Sequence, residues 1–597
     1  MSDRDGRAGR RAPEGRAPGW RLVARGRHRR LGILSLAFAA TAVLLGGRLA
    51  YVQVLKGASY AAYQQGEVEQ QVSLPAARGP IYDRNGDLLA VSVPRYLVVA
   101  DDFLISSPFA AARALAPLLN EPASTLAPLL HERNGYVVLA REVTAATKAR
   151  IAALGLPGIA FLDDTLRVSP GGSLFQPLLG GVNYAGHGDA SLEYEYDHLL
   201  SGTPGSEIVA EAPGGLALPA GAREVVAPKQ GTGLVLTIDE PLQLEVTRDL
   251  GAEMKLAHAR SGIAIVESVH TGAILAMVDL VAGPKGVIGP APSNIALTAV
   301  YQPGSVMKIA TFSWALRDGL ITPSTRFTVA DSVNIGGYTF QDAEIHPTEQ
   351  MPASQILAQS SNVGTIEVAH ELGMQRLYRA LHALGFGQFT GLNWPGESPG
   401  LLGTPASWIG SFQGSVPIGT GEAVTPMQVL DAYNAVANGG VLLPPHLVGA
   451  TVTSGTREHP IAPVTGRRIL PPAVDSTLIS MFEGVVRQDG TSVLAHIPGY
   501  TVAGKTGTAQ VPDPHGLGYV PGDWNASFVG FVPAQAPELS GIVVLNHPTP
   551  IYGGSVSAPV FSEIMRYALR RFDIAPPTRP AAALVRPNGT AASAPKR

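Results

Sequence analysis

Residues 301–311 read Tyr301-Gln302-Pro303-Gly304-Ser305-Val306-Met307-Lys308-Ile309-Ala310-Thr311. Pro303 and Gly304 punctuate the chain, and an apolar helical run follows them. Ser305 therefore falls in the first turn of a predicted helix. Lys308 lies three residues on, on the same face and within reach. A serine hydroxyl is a poor nucleophile until a nearby base takes its proton. A lysine can be that base if burial or a neighbouring cation holds it neutral. The helix start also offers free N–H groups to an oxyanion. The spacing alone decides little, because Ser593 and Lys596 repeat it around Pro595 in a polar tail.

Two further stretches change the weight of that pair. Ser360-Ser361-Asn362 lies downstream of it, and Lys505-Thr506-Gly507-Thr508 lies further on. The three elements occur in the order and spacing of a known serine acyl-transfer signature. The bland alternatives are that Ser360, Ser361 and Asn362 only cap a helix, and that Thr506 and Thr508 are ordinary strand residues on one face.

The chain has 597 residues, too many for one core, so two or more domains are expected. Apolar content of 45% and charged content of 15% fit a globular protein. A formal net charge of −3 gives no reason to invoke nucleic acid. With no cysteine, disulfides and thiolate metal sites are excluded.

Working outward, residues 1–30 carry ten arginines and few apolar residues. They read as a disordered, cytoplasmic basic arm. Leu31–Gly47 is uncharged and mostly apolar, and Arg48 can snorkel to lengthen the span. We expect an uncleaved signal anchor over 31–55, with the N-terminus inside and the rest of the chain outside the cytoplasmic membrane. A cleaved signal peptide is the competitor, but no convincing Ala-x-Ala site follows.

Residues 56–228 form a mixed region. It has an Asn85-Gly86 hairpin signal, a strand at Tyr96–Ala100, and helices at Ala110–Leu119 and Ala145–Leu154. A new pattern starts near Gly233, so a second domain is placed at 229–573. A hairpin is predicted around His270-Thr271-Gly272, with His270 as a solvated turn residue. One helix is predicted over Ile356–Leu372, with the Ser-Ser-Asn run just inside or before it, and another over Gln428–Asn438. Strands are predicted at Val502–Gln510, Ala526–Pro533 and Ser540–Asn546, and a closing helix at Ala558–Phe572. Residues 574–597 read as a disordered Ala/Pro-rich tail.

On these motifs the chain resembles the class B penicillin-binding proteins, peptidoglycan D,D-transpeptidases, most closely the division-specific type. Arg78–Ala90 matches the family's N-terminal signature. Leu192-Glu193 with Tyr196-Asp197, Leu200 and Gly202 match a second, with Ser191 where glycine is usual. Pro395-Gly396-Glu397, Gly419-x-Gly421 with Thr425-Pro426-x-Gln428, and Ala526–Phe531 also fit, as does Tyr552-Gly553-Gly554 before Ala558–Phe561. Val363-Gly364 after the Ser-Ser-Asn run suits the division type; the elongation type more often has Asp in place of Asn362.

The resemblance implies an α+β multidomain fold with a transmembrane helix, an elongated pedestal and a transpeptidase domain built on an antiparallel sheet flanked by helices. It implies that Ser305 attacks the carbonyl between two terminal D-alanines of a stem peptide, with Lys308 as proton acceptor. Ser360 would pass a proton to the leaving D-alanine, and Asn362 would fix Lys308 and the substrate amide. Lys505 would supply positive potential, Thr506 and Thr508 would hold the substrate carboxylate, and Gly507 would let the strand approach closely. It implies no metal or cofactor, acylation of Ser305 by β-lactams, and a polytopic SEDS-type glycosyltransferase with other division proteins as partners. Against it stand a hydrolytic β-lactamase or carboxypeptidase, a non-catalytic sensor or scaffold, and a nucleic-acid-binding arm. No Glu-x-x-x-Asn element is present to hold a hydrolytic water.

Overall fold

A computed structural model of the chain describes residues 21–56, 69–132, 135–212, 216–217, 225–453, 457–487, 490–516 and 518–577. The described residues form two compact units.

The first unit gathers the described residues up to Ser73 and from Ser206 to Val226. Helix α1 spans Arg21–Ala50 and runs into a π-helical turn at Tyr51–Leu55. Gly32–Val54 is 23 residues long and apolar enough to cross a membrane. At 1.5 Å per residue it is about 35 Å long, against a hydrocarbon core of roughly 30 Å. Phe38, Leu36 and Leu44 stand exposed along it, apolar surface that water does not favour. The helix starts ten residues before the expected boundary at Leu31, so Arg21–Arg30 is helical. Arginine is a good helix former, and a nucleated helix extends cheaply into such residues. The rest of the expected basic arm, 1–20, and the tail from 578 lie outside the described residues. Short strands at Glu69–Leu74, Gly205–Ala212, Leu216–Ala217 and Val225–Val226 form a small sheet.

The second unit opens with β1 (Ile81–Tyr82) and β2 (Leu88–Ala100), an antiparallel pair closed by the expected Asn85-Gly86 turn. β3 (Val137–Val143) and β4 (Ile159–Val168) flank β2. β5 (Gly233–Leu236) pairs in parallel with β1, Ile81 opposite Leu234. α2 (Glu240–Leu256) follows, then the hairpin of β6 (Ser261–Ser268) and β7 (Ile274–Ala282), and β8 (Ile288–Pro290). α3 (Lys308–Arg317) is entered through a 3-10 turn at Gly304–Met307. β9 (Ser332–Ile335) and β10 (Tyr338–Gln341) make a hairpin.

The single helix expected over Ile356–Leu372 is two, α4 (Ala353–Ala358) and α5 (Asn362–Leu372). The break is at Ser360, whose φ of +60° is left-handed and cannot continue a helix. α6 (Pro426–Ala437) starts with a capping box from Thr425 and Gln428. β11 (Val448–Thr453), β12 (Arg457–Pro460), β13 (Ala503–Pro512), β14 (Tyr519–Val532), β15 (Leu539–Asn546) and α7 (Gly553–Arg571) complete the unit.

Two sheets organise it. One has the order β8-β7-β6-β15-β14-β13, every neighbour antiparallel. Its central strands β7, β6, β15 and the second half of β14 are apolar on both faces, and the period of two assigns alternate residues to separate cores. Ala264, Val266, Phe528, Val543 and Leu545 join α2 and α7. Ile263, Ile265, Val529, Phe531, Ile542 and Val544 join α3 and α6. The other sheet runs β12-β11-β5-β1-β2-β3, with β4 also on β2. It takes strands from both sides of residue 228, so the N-terminal hairpin is continuous with the second half of the chain. Asp83, fully buried in that hairpin's turn, accepts hydrogen bonds from Asn85, Asp87 and the Glu240 N–H at the start of α2.

Candidate active site

The Ser305 turn is locked from three sides. Gly304 has φ +63°, and its N–H donates to the Gly419 carbonyl at 2.8 Å. A Cβ on Gly304 would stand 3.1 Å from the Thr508 carbonyl oxygen, and one on Gly419 would stand 2.0 Å from the Gly304 oxygen. Two glycines are needed for that approach, and both also for their conformation, since Gly419 has φ +83°. The Val306 carbonyl accepts a 2.8 Å hydrogen bond from the Tyr433 hydroxyl on α6, both groups buried. Ser305 itself is half-buried.

Lys308 is fully buried and gathers the second motif. Its Nζ donates to the Ser360 carbonyl at 2.6 Å, the Ser361 carbonyl at 3.2 Å and Asn362 Oδ1 at 2.9 Å, and lies 3.3 Å from Ser360 Oγ. The left-handed Ser360 turn makes this possible by aiming two successive carbonyls at one ammonium. Burial pushes the Lys308 amine down to about 7, against an upward pull from the Asp342 carboxylate. Among the described residues no hydrogen bond joins Ser305 Oγ to Lys308, an arrangement common in unliganded sites.

The third motif lies on β13, the outermost strand of its sheet. Its free edge therefore carries unpaired backbone groups. Gly507 backs onto the Ser305 turn: a Cβ there would stand 2.5 Å from the Pro303 carbonyl oxygen. Lys505 is fully buried, within 3.4 Å of the Thr506 carbonyl and hydroxyl. Burial and the nearby Lys308 push it well below the usual lysine range. Thr506 Oγ1 lies 3.0 Å from Thr491 Oγ1, and Thr508 Oγ1 accepts the Gly553 N–H at 3.3 Å. All eight expected site residues thus belong to one constellation. His270, 56% exposed and 3.5 Å from Glu538, stays outside it as expected.

Several supporting residues leave no signal in the sequence. Asp342 follows the β9–β10 hairpin, and its carboxylate receives Ser361 Oγ and the Asn362 and Val363 N–H groups. His346 in turn touches Asp342. Thr491 and Tyr433 meet the site only through tertiary contact. Elsewhere, Arg78 joins the two N-terminal signatures, bonding Glu193 at 2.7 Å and Asp197 at 2.6 Å, with Arg167 also on Glu193.

A serine-bearing helix start, a Ser-Ser-Asn turn and a Lys-Thr-Gly edge strand gathered about the buried Lys308 have the layout of a serine acyl-transfer site of the penicillin-binding type. The chain belongs to that family: residues 262–566 match the penicillin binding protein transpeptidase domain, and 73–236 match the penicillin-binding protein dimerisation domain. It is 32% identical to penicillin-binding protein PbpB of Mycolicibacterium smegmatis, covering 90% of each chain. It is 31% identical to peptidoglycan D,D-transpeptidase FtsI of Escherichia coli, covering 91% of each. Penicillin-binding protein 3 of Mycobacterium tuberculosis complexed with ampicillin superposes with a TM-score of 0.67 at 28% identity, covering 85% of this chain and 98% of that one.

Proposed function

We propose that this chain is a peptidoglycan D,D-transpeptidase that forms a serine acyl-enzyme at D-Ala-D-Ala, and that β-lactams acylate the same serine. The observation that carries the proposal is the convergence of Ser360 and Asn362 on a buried Lys308 one helical turn from Ser305. A lysine whose amine loses its proton near neutrality can accept the Ser305 proton as Oγ attacks the peptide carbonyl. The oxyanion then lies at the helix start, beside the free edge of β13. Ser360, in contact with Lys308, is placed to return the proton to the departing D-alanine nitrogen. Lys505 brings positive potential to the substrate's terminal carboxylate, and Thr506 and Thr508 offer hydroxyls to it. An amine from a neighbouring stem peptide takes the acyl group, closing the cross-link and freeing Ser305.

We assign residues 56–228 to a pedestal and 229–573 to the transpeptidase domain. We place the enzyme in the cytoplasmic membrane, anchored by Gly32–Val54, with its arginine-rich end inside and its catalytic domain outside. A septal role at division is favoured by the Ser360–Gly364 run and by the likeness to FtsI, and a polytopic SEDS-type glycosyltransferase is the partner that the family resemblance implies. The test is incubation of the full chain with pentapeptide-bearing glycan strands. Cross-linked peptide dimers formed with D-alanine release support the assignment; D-alanine release without dimers refutes it in favour of hydrolysis.

A further inference from the structure

Asp342 belongs to none of the three motifs, yet the second motif is built on it. One carboxylate oxygen accepts the Asn362 and Val363 N–H groups, the latter at 3.0 Å. The other accepts the Ser361 hydroxyl at 2.6 Å. An anion here completes the start of α5, where free N–H groups and the helix dipole favour it. These bonds fix the three residues that follow Ser360, whose φ of +60° costs on the order of 1–3 kcal/mol and persists only where its surroundings impose it. That conformation lets the Ser360 and Ser361 carbonyls and Asn362 Oδ1 meet on Lys308.

His346 adds a second layer. Its Nε2 is 3.2 Å from the Asp342 oxygen that also receives Ser361. Its Nδ1 is 2.9 Å from the Pro347 carbonyl and 3.6 Å from Glu349 Oε1. A ring with an acceptor near each nitrogen is best satisfied doubly protonated. The Pro347 carbonyl and the Asp342 and Glu349 carboxylates accordingly raise its proton affinity. When protonated, His346 offsets the charge of Asp342. The charged group bearing on Lys308 is then Asp342, which favours its protonated form; Lys505 lies close by, and Lys308 lowers its proton affinity.

We propose that Asp342 and His346 form a dyad that positions the Ser360–Asn362 turn on Lys308 and grades the negative field felt by that lysine. They are positioning residues and touch no reacting atom. The proposal rests on the reading of Lys308 as the base.

The experiment is the second-order rate of acylation by a fluorescent penicillin, measured against pH for the full chain and two variants. The free-enzyme base sets the acid limb of that profile. Asp342→Asn keeps one acceptor oxygen and removes the charge, so Lys308 loses its proton more readily and the limb moves to lower pH. His346→Gln removes the offsetting cation and leaves Asp342 at full strength, so the limb moves to higher pH. Each shift should be roughly half a unit to one unit, the scale of one partly screened charge. A purely structural role would slow acylation without opposite displacements of the limb. Limbs that stay put, or move in one direction together, overturn the proposal. Should Asp342→Asn not fold, His346→Gln decides alone: an upward shift supports the dyad, and no shift or a downward one refutes it. A parent profile with no acid limb near neutrality refutes the base reading and the dyad with it, whereas a parent limb that neither variant moves refutes the dyad alone.

Discussion

Gly507→Ala tests whether the edge strand and the Ser305 turn are one machine. The added methyl would stand 2.4 Å from Ser527 Oγ, 2.5 Å from the Pro303 carbonyl oxygen and 3.2 Å from Val306 Cγ1. The Ser527 hydroxyl can rotate away. The Pro303 oxygen cannot, because it is backbone held by the turn that presents Ser305. To reach ordinary contact, β13 and that turn must separate by about 1 Å. Overpacking of this kind costs about 1–3 kcal/mol. A misplacement of about 1 Å in a reacting constellation costs on the order of 10²-fold in rate. The variant should therefore melt lower than the parent and be acylated by a fluorescent penicillin about a hundred times more slowly. Both are measured on one preparation, by thermal melting and by timed gel fluorescence. Acylation at the parent's rate with an unchanged melting temperature would show that the strand does not abut the turn.

The Lys308 amine, at about 7, makes acylation rise with pH through neutrality and level off above it. The sign follows from burial: a depressed amine sheds its proton at lower pH, and the free amine is the proposed base. At pH 7 an ordinary lysine would be neutral in only about three molecules in ten thousand, so the shift contributes roughly 10³-fold, and a limb near pH 10 would refute it. Tyr433→Phe strips the buried Val306 carbonyl of its donor; stability should fall by about 1–3 kcal/mol in denaturant titration, with slower acylation. Arg571→Ala removes the guanidinium that grips the buried Asp239 at the start of α2. Since Arg571 is partly exposed, the expected loss is about 1–3 kcal/mol in the same titration, with acylation of the folded fraction unchanged.

What the sequence conveyed and what it withheld divide along physical lines. Ser305 and Lys308 are three residues apart, and helical geometry alone joins them. The central strands of the six-stranded sheet, β6, β7, β14 and β15, show as apolar runs, because both faces are buried. Asp342 and Tyr433 reach the site across 20 and 127 positions, by hydrogen bonds to backbone that leave no local trace. The break at Ser360 was hidden for a related reason. Serine has no intrinsic preference for a left-handed backbone, and tertiary bonds to its neighbours impose one there. The sheet shared between β1, β5 and β11 was equally silent, since short strands separated by over a hundred residues declare no register. At the N-terminus, composition suggested an unstructured arm up to Arg30, whereas helix propagation from the apolar segment carries order back to Arg21.

In the proposed mechanism one serine, Ser305, is made reactive by Lys308 and held against β13. Peptide mass spectrometry of the penicillin-treated full chain tests it directly. The adduct is predicted on the peptide carrying Ser305, and Ser305→Ala should leave the protein folded and unlabelled. An adduct on any other residue, or labelling that persists in the variant, would contradict it.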